Sequence, residues 1–234
     1  MNYTFYSKIG LLFIFILSFQ LCTCQKRSTN HLAALHAVKK ILTASTNESF
    51  SVLKDTGSFL INTKMEEALP DELKDINTKL ETLGLSSIVE SEKQNIGKAA
   101  QSSVNLFKPI INTAIKDITP LEAAKIIAGG KGAATQFLKK KTEAKLFEAI
   151  QPEVENELNS SGVTALVNSA LNNKTIQNAL AMITGNPAST TENGANSIAK
   201  YATSQIVNGF FQVAEEYEVK NSNLSTDLIK SLVK

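Results

Sequence analysis

Two long runs of apolar residues at helical spacing constrain the fold of this chain more than any other feature. The first run is Ile88, Ile96, Ala99, Ala100, Val104, Phe107, Ile111 and Ile115, and Glu92 falls on the same face. The second run is Ile198, Ala202, Ile206, Phe210, Val213 and Tyr217. Such spacing places apolar side chains along one face of an α-helix. The sequence shows no convincing alternation typical of a strand, and we predict an all-α fold.

Residues that begin and end helices divide the chain into segments. Thr119 is a predicted N-cap, Pro120 takes the first helical position, and Glu122 completes a capping box. Pro70 is predicted to begin another helix, and Gly84 to end it. The predicted architecture is a single multi-helix domain of about nine helices.

Turn-forming residues predict interruptions early in the domain. We expect a first helix over residues 31–44 and a partial helix over 49–54, because Ser, Thr and Asn separate the two apolar segments. A turn at Thr56-Gly57 and an irregular arm are expected to lead to Pro70.

The second half of the domain is predicted with two further interruptions. A helix is expected over residues 133–150, with Pro152 breaking or restarting it. Residues 185–197 form a polar loop in this prediction, and a last helix covers 225–233. The helical domain as a whole is predicted to cover residues 31–234.

The N-terminus has the pattern of an export signal. Lys8 precedes an apolar run, Ile9–Phe19. A run of about eleven residues suits the core of a signal peptide, whereas a membrane-spanning helix needs roughly 20. We predict a signal peptide over residues 1–24 and a polar tether over residues 25–30.

The end of this signal leaves two possibilities for anchoring. Leu21-Cys22-Thr23-Cys24 resembles a bacterial lipobox, in which the last Cys is acylated and begins the mature protein. Cys24 is therefore a predicted lipidation site, which would make the protein a cell-envelope lipoprotein at a membrane surface. The alternative is ordinary signal-peptidase cleavage nearby, which would give a soluble secreted protein.

Composition argues against several classes of function. The chain has 24 Lys+Arg against 22 Asp+Glu and only 6% aromatic residues, which do not favour nucleic acid as a partner. The two cysteines lie at the predicted cleavage region, and His31 and His36 have the wrong offset for two ligands on one helix face. We predict no metal and no cofactor. The acidic residues Glu215, Glu216 and Glu218 are interpreted as a solvated face.

A Gly-rich stretch, Gly129-Gly130-Lys131-Gly132, has some likeness to a phosphate-binding loop. A Walker A loop needs Ser or Thr after the Lys and a preceding strand, whereas Gly132 and a predicted helix stand here. We expect the glycines to end one helix and to form a tight corner before the next.

Polar residues after this corner are the candidate contacts for a ligand or partner. They are Thr135, Gln136, Lys141 and Thr142. Thr135 and Thr142 are seven positions apart and so share a helix face. A small polar pocket there is the basis for an alternative function as an enzyme or small-ligand-binding protein. The basic run Lys139-Lys140-Lys141 is interpreted as a solvated face, with attraction to anionic lipid head groups as the alternative.

Several short motifs resemble an exported family of uncharacterised proteins, domain of unknown function 4197. They are Leu69-Pro70-x-x-Leu73, Leu83-Gly84-Leu85, Asn95-Ile96-Gly97-Lys98-Ala99-Ala100, Ala133-Ala134-Thr135-Gln136-Phe137-Leu138, Pro152 and Ser225-Thr226-Asp227-Leu228-Ile229-Lys230. The resemblance covers about residues 31 to 234, nearly all of the mature chain. It implies an all-helical fold and a leader, often on bacterial envelope lipoproteins, and it brings no activity or catalytic residues. The tail departs from the family pattern, since Leu224 stands where an arginine is expected.

These observations together favour a binding function. We expect an exported, membrane-anchored helical domain that binds a protein or lipid partner and is not an enzyme. A lipid carrier is a third possibility, and it would require a continuous apolar cavity between helices.

Overall fold

The computed structural model describes residues 31–174 and 194–221, and helices dominate both ranges. The nine helices of these two ranges are α1 (residues 31–54), α2 (Thr56–Ile61), α3 (Thr63–Glu67), α4 (Asp71–Thr82), α5 (Ser86–Lys116), α6 (Pro120–Ala128), α7 (Ala133–Ser160), α8 (Val163–Asn172) and α9 (Gly194–Asn221). The same part of the chain contains no strand. The all-α prediction is confirmed.

One hydrophobic core joins all nine of these helices. The long helices α5 and α7 pack along each other, and α9 packs against α7. Phe210 of α9 lies at an aromatic cluster, with its ring centroid 5.1 Å from that of Phe50, 5.0 Å from that of Phe107 and 5.3 Å from that of Phe211. The predicted apolar faces of α5 and α9 are therefore the faces that build the core.

The first helix is longer than predicted, because it continues through the expected break after residue 44. The hydroxyls of Ser45 and Thr46 donate to the Leu42 carbonyl at 3.1 Å and 2.7 Å, so these side chains are satisfied without ending the helix. The buried Ser49 hydroxyl donates to the Phe210 carbonyl at 2.7 Å. Polar residues that predicted a break instead make contacts within α1 and with α9.

The predicted irregular arm before Pro70 is also wrong, because it contains the two short helices α2 and α3. Asp55 caps α2 by accepting the Ser58 N–H at 2.8 Å. Asn62 caps α3 by accepting the N–H groups of Lys64 at 3.0 Å and Met65 at 3.3 Å. Helices of this length are marginal alone, so their packing against the core stabilises them.

Most of the later helix boundaries agree with those predicted from the sequence. Pro70 precedes α4, Gly84 after it has φ +76°, and the Thr119–Glu122 capping box begins α6. Pro152 lies inside α7, which continues to Ser160, so it does not break the helix.

The Gly-rich stretch forms the expected corner between α6 and α7. Gly130 and Gly132 both have φ +81°, in the left-handed region that favours glycine. Of the predicted polar loop, residues 185–193 lie outside the described residues, whereas 194–197 belong to α9. The leader with Cys24, the tether and the predicted helix over 225–233 also lie outside them.

Candidate functional site

A pocket of about 140 Å³ lies among α2, α3, α5 and α9. Its apolar lining consists of Phe59, Leu60, Met65, Leu69 and Ile96. Its polar lining consists of the buried Glu92 and Gln205 and the exposed Glu66 and Lys93. We refer to this feature as the Glu92 pocket. Apolar walls with a few polar groups are typical of small-molecule sites.

Three buried acceptor atoms distinguish the Glu92 pocket. Glu92 is 0% exposed, and Gln205 is 7% exposed. Both carboxylate oxygens of Glu92 and Oε1 of Gln205 have no hydrogen-bond partner among residues 31–174 and 194–221. Since 90% or more of buried polar backbone groups, and most buried polar side chains, are hydrogen-bonded, three such atoms on two residues that line one pocket indicate a place for a donor.

Burial also changes the protonation of Glu92. Desolvation raises the pKa of this carboxyl from 4.5 to about 7, and the nearby charge of Lys93 opposes this rise only in part. Removing a carboxylate from water without a charged partner disfavours its ionised form. Glu92 is therefore held close to its titration point at neutral pH.

Two glycines bring the short helices of the pocket close to the long ones. A Cβ atom at Gly97 of α5 would lie 2.7 Å from Cγ2 of Thr56 at the start of α2. A Cβ atom at Gly209 of α9 would overlap Sδ of Met65 in α3. The Gln205 Nε2 donates to the Met65 carbonyl at 2.9 Å, which further fixes α3 on α9. The pocket walls thus depend on close packing that only glycine permits.

Side-chain caps stabilise the starts of α2 and α3, the two short helices of the pocket. Besides the N–H of Ser58, Asp55 accepts the Ser58 hydroxyl at 2.7 Å, and these bonds hold the pKa of Asp55 below its usual value. Ionised Asp55 is a favourable N-cap because the first N–H groups of a helix lack intrahelical partners. The caps explain why a segment with turn-forming residues is helical here.

Among the described residues, one groove contains two of the four residues predicted as contacts. Thr135 and Thr142 are both buried on the expected common face of α7, and Gln136 is exposed. Lys141 and Thr142 line a groove of about 360 Å³ between α5 and α7. The Gln136 Nε2 donates instead to Oε1 of Glu215 at 3.0 Å.

The basic run of α7 is partly engaged by neighbouring side chains. The Lys139 Nζ donates to Oδ1 of Asn208 at 2.9 Å. The Lys141 Nζ lies 3.7 Å from Oε1 of Glu122 and 5.5 Å from the ring centroid of Phe137. Lys140 is exposed, as a solvated face requires.

The solvated-face interpretation of the acidic residues in α9 is wrong for Glu218. This side chain is 2% exposed, and its oxygens accept the N–H groups of Ala134 at 3.2 Å and Thr135 at 2.7 Å. Glu218 stands four positions after Ala214 and seven after Phe211, both buried. Its place on that face was the signal in the sequence that it is buried.

The described part of the chain has neither a cluster of metal-ligating side chains nor a membrane-spanning helix. Within residues 31–174 and 194–221, no group of three His, Cys, Asp or Glu side chains could hold a metal ion. None of the helices described above is both long and apolar enough to cross a membrane.

Comparison with protein families gives a match that covers most of the chain. A family model described as "Protein of unknown function (DUF4197)" matches residues 28–231. The chain belongs to this family. The DUF4197 match includes all nine helices and therefore the whole Glu92 pocket, and it confirms the resemblance seen in the sequence. Comparison with curated proteins and with solved structures gave no match.

Proposed function

We propose that this DUF4197 protein is an exported helical protein that is held at a membrane surface by a lipid on Cys24 and binds a small amphipathic ligand in the Glu92 pocket. The observation that carries the binding function is the set of three buried, unpartnered acceptor atoms on Glu92 and Gln205, which line an otherwise mainly apolar pocket. The sequence led us to expect a protein or lipid partner. In its place we propose a small molecule with an apolar part, because the pocket is small.

The size of the pocket supports a ligand, or a ligand segment, of limited length. An apolar cavity of about 150 Å³ accepts benzene, and the Glu92 pocket has a volume of about 140 Å³. It therefore accommodates about six to eight non-hydrogen atoms. The exposed Glu66 and Lys93 in its lining place part of the pocket at the surface, where a longer molecule would extend into solvent.

A fragment screen by ¹⁹F NMR tests the binding function. The library would contain cationic, neutral and anionic fluorinated fragments of about six to eight non-hydrogen atoms, since this size fits the pocket. We expect fragments that bind the natural protein and are lost in Leu60→Trp, which fills the pocket from its half-buried wall. Leu166→Trp, at a residue of α8 that is 49% exposed, is the matched control and should retain binding. If no fragment shows this difference, the binding function of the pocket is wrong.

The leader supports export and anchoring, and the mature N-terminus tests them. The full chain would be expressed with its leader in a bacterial host and purified from the membrane and soluble fractions. We expect the mass of a mature chain that begins with an acylated Cys24. A mature chain that begins near Gln25 without acylation would contradict the anchor but not export, and an intact leader would contradict both.

A second candidate is the groove that contains two of the four predicted contact residues. Asp117, Lys145 and the buried Thr142 share its lining with Lys141. A small polar ligand or substrate would be suited to these groups, as in the alternative function inferred from the sequence. Fragments that remain bound to Leu60→Trp but are lost in Lys141→Gln would favour this groove.

A further inference from the structure

We infer that the Glu92 pocket takes a ligand whose buried end is a protonated amine and whose apolar body fits beside Phe59, Met65 and Ile96. This inference rests on the proposed function, because it names the chemical class of ligand for the same pocket. It goes further in assigning Glu92 and Gln205 as the residues that recognise the head group.

The hydrogen-bonding groups of the pocket favour a donor-rich ligand. Glu92 and Gln205, which line the pocket, have three buried acceptor atoms that are unpartnered within the described part of the chain. The Gln205 Nε2 donates one hydrogen bond to the Met65 carbonyl rather than to Glu92. A primary ammonium group has three donors and no acceptor. It therefore has as many donors as Glu92 and Gln205 have unpartnered acceptors, whereas a hydroxyl has one donor.

Charge favours the same class of ligand. A buried carboxylate is stable in its ionised form only when an opposite charge accompanies it. Among the lining residues, the other charged groups are Glu66 and Lys93, and both are exposed. An ammonium group beside Glu92 would supply the missing positive charge, and a ligand carboxylate would be repelled. When Glu92 is protonated before binding, it releases its proton to solvent and the ammonium group takes the proton's place.

The apolar walls set the shape of the rest of the ligand. Phe59 is 3% exposed, Met65 is 0% exposed and Ile96 is 1% exposed, so their packing holds these walls in place. An alkyl body of about six carbons would fill the space, and each buried methylene would strengthen binding about fourfold. An aliphatic amine combines this body with the required head group.

Calorimetric titration with three probes of one body length tests the inference. The probes are hexylammonium, 1-hexanol and hexanoate, each added at pH 7 to the purified mature protein. We expect hexylammonium to bind the natural protein about tenfold or more tightly than hexanol, because hydrogen bonds to a charged group are the stronger ones. Hexanoate should bind more weakly than hexanol.

Two variants test whether Glu92 causes the preference for hexylammonium. Glu92→Gln should weaken hexylammonium binding about tenfold or more and leave hexanol binding nearly unchanged. Glu90→Gln removes an exposed acid of the same helix outside the pocket lining and should change either affinity less than about threefold. Circular dichroism would establish that each variant is folded, and the ranking of probes on the natural protein requires no variant.

The outcomes separate this inference from the proposed function. If hexanol binds as tightly as hexylammonium, the amine class is wrong and the pocket still binds a ligand. If the three probes fail while only neutral or anionic fragments bind in a Leu60-dependent way, the amine class is again wrong. If neither the probes nor the fragments bind, both the inference and the proposed function are overturned.

Discussion

The Glu218 carboxylate accepts the N–H groups of Ala134 and Thr135, and it thereby fixes the C-terminal part of α9 to the start of α7. The N-terminus of a helix carries partial positive charge and N–H groups without intrahelical partners. A buried carboxylate at that point balances the partial positive charge and accepts hydrogen bonds from the N–H groups. Since α7 begins directly after the glycine corner, this contact determines where the corner stands relative to α9.

Glu218→Gln tests the importance of this contact. We expect the free energy of unfolding to fall by about 2 kcal/mol, because the charged acceptor at a helix N-terminus is replaced by a neutral one. Urea denaturation at pH 7 would measure the change. Glu216→Gln on the same helix is the control, since Glu216 pairs with the exposed Lys220, and it should change stability by less than about 0.5 kcal/mol. Equal effects of the two substitutions would contradict the role of Glu218.

Alanine substitutions at Gly130 and Gly132 test the left-handed corner. Both residues have φ +81°, which costs an L-residue about 1 to 2 kcal/mol. The Gly132→Ala variant should be the less stable one, because its Cβ would lie 2.7 Å from Oε1 of Glu215, whereas a Cβ at Gly130 meets nothing within 4 Å. Thermal unfolding would compare them. A Gly130→Ala variant with unchanged stability would show that the left-handed backbone is not required.

Gly209→Ala tests the packing that forms the wall of the Glu92 pocket. Its new methyl group would overlap Sδ of Met65, and we expect a loss of about 1 to 3 kcal/mol in unfolding free energy. Gly57→Ala is the matched control, because its Cβ would lie no closer than 3.4 Å to Asp55. Alanine is also the better helix former at that exposed position, so this variant should be as stable as the natural protein or more stable. Equal destabilisation of the two variants would contradict the close contact.

The raised pKa of Glu92 predicts a specific pH dependence of stability. Between its ordinary value of 4.5 and about 7, the folded state binds more protons than the unfolded state. The contribution of Glu92 is therefore fully present below about pH 4.5 and is lost as the pH rises through about 7. Relative to Glu92→Gln, the natural protein should lose about 2 to 3 kcal/mol of unfolding free energy between pH 5 and pH 8.

Urea denaturation of both proteins at these two pH values would measure this difference. Lys93 and Glu66 are the other charged groups that line the pocket. Because Glu66 is exposed, Glu66→Gln should follow the pH profile of the natural protein. A natural protein that gains stability relative to Glu92→Gln over this range would contradict an unpaired buried carboxyl.

The sequence predicted those parts of the fold that depend on local interactions. The capping box at Thr119 and Glu122, the helix start after Pro70 and the apolar faces of α5 and α9 all follow from residues within a few turns of one another. The family resemblance was also visible in short motifs. These features need no knowledge of which helix packs against which.

The parts that were missed depend on residues distant in sequence. Ser49 continues α1 because its hydroxyl reaches the Phe210 carbonyl, 161 positions away. Glu218 is buried because α9 crosses the start of α7. The Glu92 pocket requires α2 and α3, which are short helices that pack against α5 and α9. Glu92 was visible on an apolar face, but the sequence contained no indication of the pocket beside it.

Proton release on ligand binding tests the role of Glu92 most directly. Hexylammonium would be titrated into the natural protein by calorimetry, in pairs of buffers with different heats of ionisation, at pH 6 and pH 8. With the pKa of Glu92 raised to about 7, we expect roughly nine tenths of a proton to be released at pH 6 and roughly one tenth at pH 8. Glu92→Gln should release none at either pH. Binding without proton release at pH 6, or with equal release in both proteins, would contradict recognition of an amine by the Glu92 carboxylate.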